Sequence, residues 1–263
     1  MKDVRRLLSA FGLLLVTIFT LFACATQPQK VGIPTKPPER ILFIGNSLTA
    51  GFGSMLQTLA ASAHPPNRIA ADESISLGTV LEGLWTEAGS RHDQILGGKY
   101  DMIIIQPTLS QTGTVYGGIV ADTESKLYQY ARMFVDEITQ AGARPVLLMH
   151  WQFNEPNAMT IDNIARICTA FAAERGIRVA PAGIAWQRAQ QSRPNLVLLS
   201  DSVHPNVFGS YLSACVLYAT VFNKTPLGLS FSEWPPITAE QAAFLQRIAW
   251  ETVQSYTKSD EAE

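Results

Sequence analysis

A serine and a histidine–aspartate pair lie far apart in this sequence, and together they could carry out acyl transfer. Ser47 follows the apolar run 41–44, whereas Asp201 and His204 lie three residues apart near the other end of the chain. A serine hydroxyl is a poor nucleophile until a base removes its proton, and a third group must hold that base in one tautomer. A short turn would let Asp201 bind one imidazole nitrogen of His204 while the other nitrogen faces Ser47.

Each of these residues also has a simpler interpretation. Ser47 or Thr49 could merely cap the helix that the following residues predict, and Asp201 could cap a helix or a turn. His204 could be an ordinary loop histidine, since Pro205 follows it directly. The choice depends on whether the fold brings the three side chains together.

The apolar runs of the chain predict the elements that would position them. Continuous apolar segments, rather than alternating ones, are typical of strands buried in a parallel sheet. Strands or strand-like runs occupy residues 41–44, 68–75, 100–106, 144–149, 177–180 and 196–199. Helical patterns occupy residues 51–63, 123–141, 160–175, 183–191, 209–222 and 241–256. This order predicts an α/β fold, a three-layer α/β/α sandwich with a central parallel sheet, whose reactive groups gather at the carboxyl ends of the strands.

The N-terminus has the layout of a secretory signal, with three basic residues among the first six and an apolar run up to Ala23. Residues 21–24 resemble the bacterial lipobox, in which the cysteine, here Cys24, becomes the lipidated first residue. The alternative is an uncleaved anchor, since the run is nearly long enough to span a bilayer. Either way, we expect a domain outside the cytoplasm, held at a membrane of the cell envelope. The expected divisions are a signal peptide (1–23), a lipidated tether (24–39), one large domain (40–258) and an acidic tail (259–263).

Composition excludes several classes of partner. Removal of the signal takes away three positive charges and one negative charge, so the formal net charge changes from −2 to −4. Because no basic cluster remains, we expect no nucleic-acid partner. Metal-ligand spacing, dinucleotide-binding glycines and a Walker pattern are all missing, so no metal or other cofactor is expected. Cys168 and Cys215 lie in apolar helical patterns, which favours two buried thiols, although an oxidising compartment would permit one disulfide.

Two sequence blocks resemble those of the GDSL/SGNH hydrolases. Residues 45–49 (Gly-Asn-Ser-Leu-Thr) look like the first block of that family, and residues 201–205 (Asp-Ser-Val-His-Pro) look like the last. The order and distance of the two blocks are far more specific than either block alone. The resemblance implies a flavodoxin-like SGNH hydrolase fold in which Ser47 is the nucleophile, His204 the general base and then acid, and Asp201 the residue that orients the imidazole.

The resemblance also implies an oxyanion hole, and there the sequence departs from the family. The family uses the serine N–H, a glycine N–H from its second block and an asparagine side chain from its third, and Ser47 and Gly78 match the first two. The third block, residues 106–111, contains no Gly-x-Asn-Asp. A simple register places Ser110 at the asparagine position. The amide of Gln106 is preferred as the third donor because it is better fixed than a hydroxyl, unless Gln106 only ties neighbouring loops together.

Asn46, His150 and Trp151 are the residues expected to line a substrate cleft. Trp151 could be a platform on which a sugar stacks, or it could pack beneath the loops. The substrate would be a small-molecule or glycan ester.

The predicted function is a cell-envelope serine esterase that removes short acyl groups, in particular O-acetyl groups, from glycans. The alternative is a non-catalytic envelope lipoprotein that keeps the fold for glycan binding or assembly. A cofactor-binding flavodoxin-like domain is less favoured, because no phosphate-cradling glycine pattern is present. The family also includes lipases, thioesterases and acyltransferases, and fold does not choose among them.

Overall fold

The computed structural model describes residues 39–87, 89–231 and 237–260. The expected signal peptide (1–23), the tether up to residue 38 with its lipidation site Cys24, and the last three residues of the acidic tail lie outside the described residues. In the described part of the chain, no helix is both long and apolar enough to cross a membrane.

The core of the molecule is a five-stranded, wholly parallel sheet with a small hairpin beside it. The strands are β1 (Arg40–Gly45), β2 (Ala70–Ile75), β3 (Met102–Ile105), β4 (Thr114–Val115), β5 (Ile119–Val120), β6 (Arg144–Leu148) and β7 (Arg178–Ala180). The large sheet has the order β2-β1-β3-β6-β7, and β4 pairs with β5 alone. Since the chain moves outward from β1 in both directions, the carboxyl ends of β1 and β3 flank the switch point where ligands bind in open α/β sheets.

Within the described residues, four helices cover each face of the sheet, so the predicted three-layer fold is confirmed. The helices are α1 (Phe52–Ser62), α2 (Leu81–Thr86), α3 (Gly89–Gly97), α4 (Glu124–Gln140), α5 (Ile161–Arg175), α6 (Ala182–Ser192), α7 (Val207–Phe222) and α8 (Ala239–Asp260). Helices α1, α6, α7 and α8 pack on the face that presents Ile41 and Phe43 of β1. Helices α2 to α5 pack on the opposite face, which presents Leu42 and Ile44. Alternate residues of one central strand thus reach two separate apolar cores, which is why its sequence is continuously apolar.

The structure differs from the sequence-based prediction at three places. Helix α3 is polar enough that its sequence gives only a weak apolar stripe. The loop after β3 contains the β4–β5 hairpin. Residues 196–199 form no strand of the sheet: Leu199 makes a single bridge to Pro205, which closes the loop containing Asp201. Cys168 of α5 and Cys215 of α7 are buried free thiols in different cores.

Candidate active site

Ser47 lies in the turn between β1 and α1, at the carboxyl edge of the sheet. The apolar residues of β1 are fully buried, whereas the Ser47 side chain is partly exposed. Helix α1 begins after Gly51, which adopts a left-handed conformation (φ 87°) and caps the helix without any side-chain bond. Thr49 instead donates its hydroxyl to Oε1 of Gln106 at 2.9 Å. Neither hydroxyl therefore caps the helix, and Ser47 is left for another partner.

That partner is His204, although 157 residues separate the two in sequence. The distance from Ser47 Oγ to His204 Nε2 is 2.9 Å, and His204 Nδ1 lies 2.7 Å from Asp201 Oδ2. The three side chains are thus aligned as serine, imidazole and carboxylate. Chemically, this alignment can take a proton from Ser47 and hold the resulting imidazolium beside a negative charge.

Asp201 also builds the turn that presents the histidine. Its Oδ1 accepts the backbone N–H groups of Val203 (2.8 Å) and His204 (2.7 Å). Burial raises the pKa of Asp201, but these two backbone bonds and the contact with the His204 ring outweigh it, so the net pKa lies below its usual range. The turn-capping interpretation and the orienting interpretation of Asp201 are therefore compatible, because each carboxylate oxygen does one of the two tasks.

Residues that follow β6 also hold the turn that carries His204. The indole N–H of Trp151 donates to the Val203 backbone oxygen, and the backbone N–H of Asn154 donates to the Ser202 oxygen at 2.8 Å. Gly209, in the first turn of α7, has no room for a side chain. A Cβ there would lie 2.3 Å from the Leu198 oxygen and 2.5 Å from the Trp186 ring. The glycine lets α7 approach the segment that leads into Asp201.

The two expected backbone oxyanion donors, Ser47 and Gly78, follow the neighbouring strands β1 and β2. Within the described residues, neither the N–H of Ser47 nor that of Gly78 donates a hydrogen bond. Gly78 adopts a left-handed conformation (φ 68°), which suits glycine, and it is exposed in the loop after β2. Unpaired N–H groups at the end of a buried sheet could stabilise a developing negative charge.

The two side chains expected to offer a third oxyanion donor, in the loop after β3, both donate hydrogen bonds to oxygens of that loop. Gln106 is buried, and its amide N–H₂ donates to the Pro107 oxygen and to Thr108 Oγ1. Its contacts fit the alternative interpretation, that it ties neighbouring loops together. Ser110 is also buried, and its hydroxyl donates to the Thr114 oxygen. Both side chains therefore donate their hydrogen bonds to other groups of the protein.

The three residues expected to line a cleft lie in the interior instead. His150 is fully buried, Trp151 is 1% exposed and Asn46 is 5% exposed. Trp151 stacks on Trp186 with ring centroids 4.1 Å apart, so its face is already covered by protein. Trp151 supports the loops rather than a ligand, because its ring and its N–H are both used.

The side chain of Asn46 joins the loop after β2 to the loop after β3. Its Nδ2 donates to the Thr79 backbone oxygen and to Thr108 Oγ1, both at 2.7 Å. Thr108 also donates its backbone N–H to the buried Asp122 at 3.2 Å. Thr108 and Asp122 were not anticipated, since a threonine and an aspartate among loop residues carry no distinctive sequence signal.

A cleft of about 540 Å³ lies between the loops after β3 and β6 and reaches the turn that carries His204. Its wall carries hydroxyl and amide side chains, among them Ser110, Thr112, Asn154, Asn157 and Ser202. Among the residues that the structure describes, no cluster of three His, Cys, Asp or Glu side chains could hold a metal ion. The wall of the cleft also carries apolar side chains, among them Leu109, Phe153 and Met159, and the carboxylate of Glu155.

No protein-family model matches this chain, and no curated protein matches it in sequence. Solved structures do match. A DUF4886 family protein from Bacteroides uniformis is 16% identical with a TM-score of 0.65, covering 83% of this chain and 96% of that one. LAE5, an α/β hydrolase enzyme from the metagenome of Lake Arreo, is 18% identical with a TM-score of 0.58, covering 74% and 97%. Axe2, an acetylxylan esterase from Geobacillus stearothermophilus, is 17% identical with a TM-score of 0.56, covering 73% and 96%. The chain has the same α/β/α fold as these proteins, and at such identities the likeness shows the fold alone.

Proposed function

We propose that this protein is a serine esterase that hydrolyses short acyl esters, in particular O-acetyl esters of glycans. The observation that carries the proposal is the alignment of Ser47 Oγ, the His204 ring and Asp201 Oδ2, with distances of 2.9 and 2.7 Å. A surface serine and histidine without a common task would have no reason to meet in this way at the carboxyl edge of a parallel sheet.

The reaction would proceed by acyl transfer in two halves. His204 Nε2 takes the proton of Ser47 Oγ, which attacks the ester carbonyl carbon, and the carbonyl electron pair moves to oxygen. The N–H groups of Ser47 and Gly78 would bind that oxyanion. His204 then gives its proton to the departing alcohol oxygen as the bond to the acyl carbon breaks. A water molecule, deprotonated by His204, attacks the acyl-enzyme, and the proton returns to Ser47 as the acid leaves.

The cleft beside the His204 turn supports a glycan as the alcohol part of the ester. Its wall offers Asn154 and Asn157 amides together with Ser and Thr hydroxyls, which suit the many hydroxyls of a sugar. Axe2, which has the same fold, is an acetylxylan esterase.

The test is hydrolysis of p-nitrophenyl acetate and acetylated oligosaccharides by wild-type protein and by Ser47→Ala. We expect the variant to remain folded and to lose about three orders of magnitude in kcat or more. Ser54→Ala is the matched control, because Ser54 lies on α1 and its hydroxyl donates to the Gly51 oxygen of its own turn at 2.9 Å. Wild-type protein that is inert towards both classes of ester would contradict the proposal.

A glycan-binding module without catalysis is the second candidate. It is favoured by one observation, that Gln106 and Ser110 both direct their hydrogens into the protein. A fluorophosphonate probe separates the two functions, because it reacts only with an activated serine. Labelling of wild type but not of Ser47→Ala supports the esterase; retention on a glycan column without any labelling supports the binding module.

We also propose that Cys24 anchors the protein to a membrane of the cell envelope through a lipid. The proposal comes from the sequence around residues 21–24. Fractionation of cells that express the full chain tests it: wild type should sediment with membranes, whereas Cys24→Ser should lose metabolic labelling by palmitate. Equal labelling of both proteins would contradict it.

A further inference from the structure

Asp122 is a buried carboxyl next to the candidate active site that the acyl-transfer steps do not use. It lies between β5 and α4 with none of its surface exposed. Its Oδ2 accepts the backbone N–H groups of Thr108 (3.2 Å) and Leu81 (3.4 Å), while Oδ1 has no hydrogen-bond partner among the described residues. Burying a carboxyl with one oxygen unsatisfied costs stability, so its presence calls for a reason.

The two hydrogen-bond partners of Asp122, Thr108 and Leu81, connect it to the residues around Ser47 and Gly78. Thr108 Oγ1 accepts from Asn46 Nδ2, and Asn46 directly precedes Ser47. Leu81 is the first residue of α2 and follows the loop that contains Gly78 and Thr79. Asn46 Nδ2 also donates to the Thr79 oxygen at 2.7 Å.

These contacts close a ring that joins the loops after β1, β2 and β3. The ring runs from Asn46 through Thr108, Asp122, Leu81 and Thr79 and returns to Asn46. Asn46 bonds to both of the other loops, whereas Asp122, which lies in the loop after β3, bonds to Thr108 of that loop and to Leu81 after the loop that follows β2. The backbone of Asp122 strengthens one side, because its N–H donates to the Thr108 oxygen at 2.6 Å and its oxygen accepts from Ser110 at 2.9 Å.

We infer that Asp122 is a positioning residue for acyl transfer, whose side chain sets the spacing between the Ser47 turn and the Gly78 loop and so the geometry of the two oxyanion N–H groups. The inference rests on the proposed esterase function. Transition-state stabilisation of this kind depends on donors held in place before the reaction, and a shift of about 1 Å can cost about 100-fold in rate.

The proposed role of Asp122 requires an oxygen that accepts hydrogen bonds. It does not require a negative charge, and the surroundings of the side chain agree with this. Burial raises its pKa to about 7, although the backbone bonds from Thr108 and Leu81 oppose that shift. The charged groups that act on it are Glu82 and Lys126, which pair with each other at 2.9 Å. A proton on Oδ1 would leave Oδ2 free to accept both N–H groups, so the ring can persist in either protonation state.

The test compares Asp122→Ala with Asp122→Asn, using kcat and KM for p-nitrophenyl acetate and the thermal midpoint. Alanine removes both accepted bonds and should lower kcat by about 10- to 100-fold with KM changed by less than about threefold. Asparagine keeps an oxygen at the Oδ2 position and should recover most of that loss. Glu137→Ala is the matched control: Glu137 also lies on the α4 side and binds the His92 ring, but outside the ring of loops. It should lower the thermal midpoint and leave kcat unchanged.

Further measurements distinguish failure of the role of Asp122 from failure of the proposed esterase function. If Asp122→Ala does not fold, Thr108→Val opens the same ring at its link to Asn46 and should give the same loss in kcat with KM maintained. An active wild type whose Asp122→Ala or Thr108→Val variant keeps full kcat overturns the role of Asp122 alone. A wild type that neither hydrolyses the ester nor reacts with a fluorophosphonate overturns the esterase, and this inference with it.

Discussion

The indole N–H of Trp151 donates a 2.9 Å hydrogen bond to the backbone oxygen of Val203, the residue directly before His204. Trp151 follows β6, so the bond ties the turn that carries the candidate base to the rigid edge of the sheet. The rings of Trp151 and Trp186 stack at an interplanar angle of 4°, which fixes the orientation of the indole. A side chain that could have been a sugar platform is thus part of the support of the base.

Replacement of Trp151 by Phe should therefore affect catalysis through His204. The variant keeps an aromatic ring for the stack but loses the N–H, so the Val203 oxygen lacks its buried donor and the free energy of unfolding should fall by roughly 1–3 kcal/mol. A small displacement of the turn should lower kcat about 10-fold. Urea unfolding and ester hydrolysis measure the two effects.

Trp186→Phe is the control for this experiment. It removes a comparable buried bond, from the Trp186 indole to Ser213 Oγ at 3.0 Å, but that bond leads to the middle of α7. We expect a similar loss of stability with kcat within about twofold of wild type. An equal loss of kcat in both variants would contradict a specific role for the Trp151–Val203 bond.

The fold could be predicted from the sequence largely because buried parallel strands are continuous apolar runs. Residues 41–44 and 100–106 predicted two of the central strands, β1 and β3, which bracket the site. The run 196–199 was predicted to be strand-like and is not, because its oxygens bind Asn206 instead of a neighbouring strand. Helix α3 escaped notice because few of its residues are apolar.

Residues of the candidate site could be predicted from the sequence only where the side chain itself carries a reactive group. Ser47, Asp201 and His204 carry reactive groups, and the structure brings them together as their types suggested. Donor directions cannot be read from a sequence, so Gln106 and Ser110 were chosen by residue type and turn out to bond inwards. Asp122 contacts Thr108 and Leu81, which lie 14 and 41 residues away in sequence, and such contacts exist only in the fold.

Asp201→Asn should separate the two tasks of the Asp201 carboxylate. The side-chain oxygen of asparagine can still accept the Val203 and His204 N–H groups, so the turn should form with little loss of stability. Its N–H₂ would face His204 Nδ1, which then must accept, leaving the proton on Nε2 where Ser47 needs a base. We expect kcat to fall by about 10⁴-fold while the thermal midpoint stays close to that of wild type.

Asp201→Ala is the comparison, because it removes the acceptors of the turn as well. Two backbone N–H groups lose their partner, and we expect a lower thermal midpoint in addition to the loss of kcat. If Asp201→Asn were as unstable as Asp201→Ala, the oxygen that holds the turn would not be interchangeable as argued. If it kept more than about a tenth of wild-type kcat, Asp201 would not set the tautomer of His204.

Gln106→Leu tests whether the buried amide is an oxyanion donor or a brace. Its Oε1 accepts from Thr49 Oγ1 at 2.9 Å and from the Asn46 N–H at 3.4 Å, so leucine would leave buried donors unpaired. We expect the free energy of unfolding to fall by roughly 1–3 kcal/mol. Since the amide hydrogens point into the protein, kcat of the folded fraction should fall by less than about 10-fold, whereas loss of a true oxyanion donor costs about 100- to 1,000-fold.

His150 should make the stability of the fold sensitive to acid. It is fully buried, its Nε2 accepts the Leu109 N–H at 2.9 Å, and Nδ1 donates to the Trp151 oxygen at 2.7 Å, so the ring is neutral. Burial lowers its pKa to about 4, although the bond to Trp151 opposes the shift. The folded pKa is below the value of 6.5 for an exposed ring. The contribution is therefore fully present above about pH 6.5 and is lost as the pH falls towards about 4, by roughly 3 kcal/mol.

Urea unfolding at about pH 7.5 and about pH 4.5 measures this contribution, with His150→Gln as the variant that cannot titrate. Other groups also titrate in this range, but they are common to both proteins, so the difference between wild type and variant isolates His150. The variant should be the less stable protein at neutral pH, and the gap should narrow in acid because only the wild type must bury a charge or unfold. If the gap for His150→Gln did not change with pH, the His150 ring would bind a proton as readily in the folded protein as in the unfolded protein. That result would contradict the prediction, which rests on the Leu109 N–H that faces Nε2.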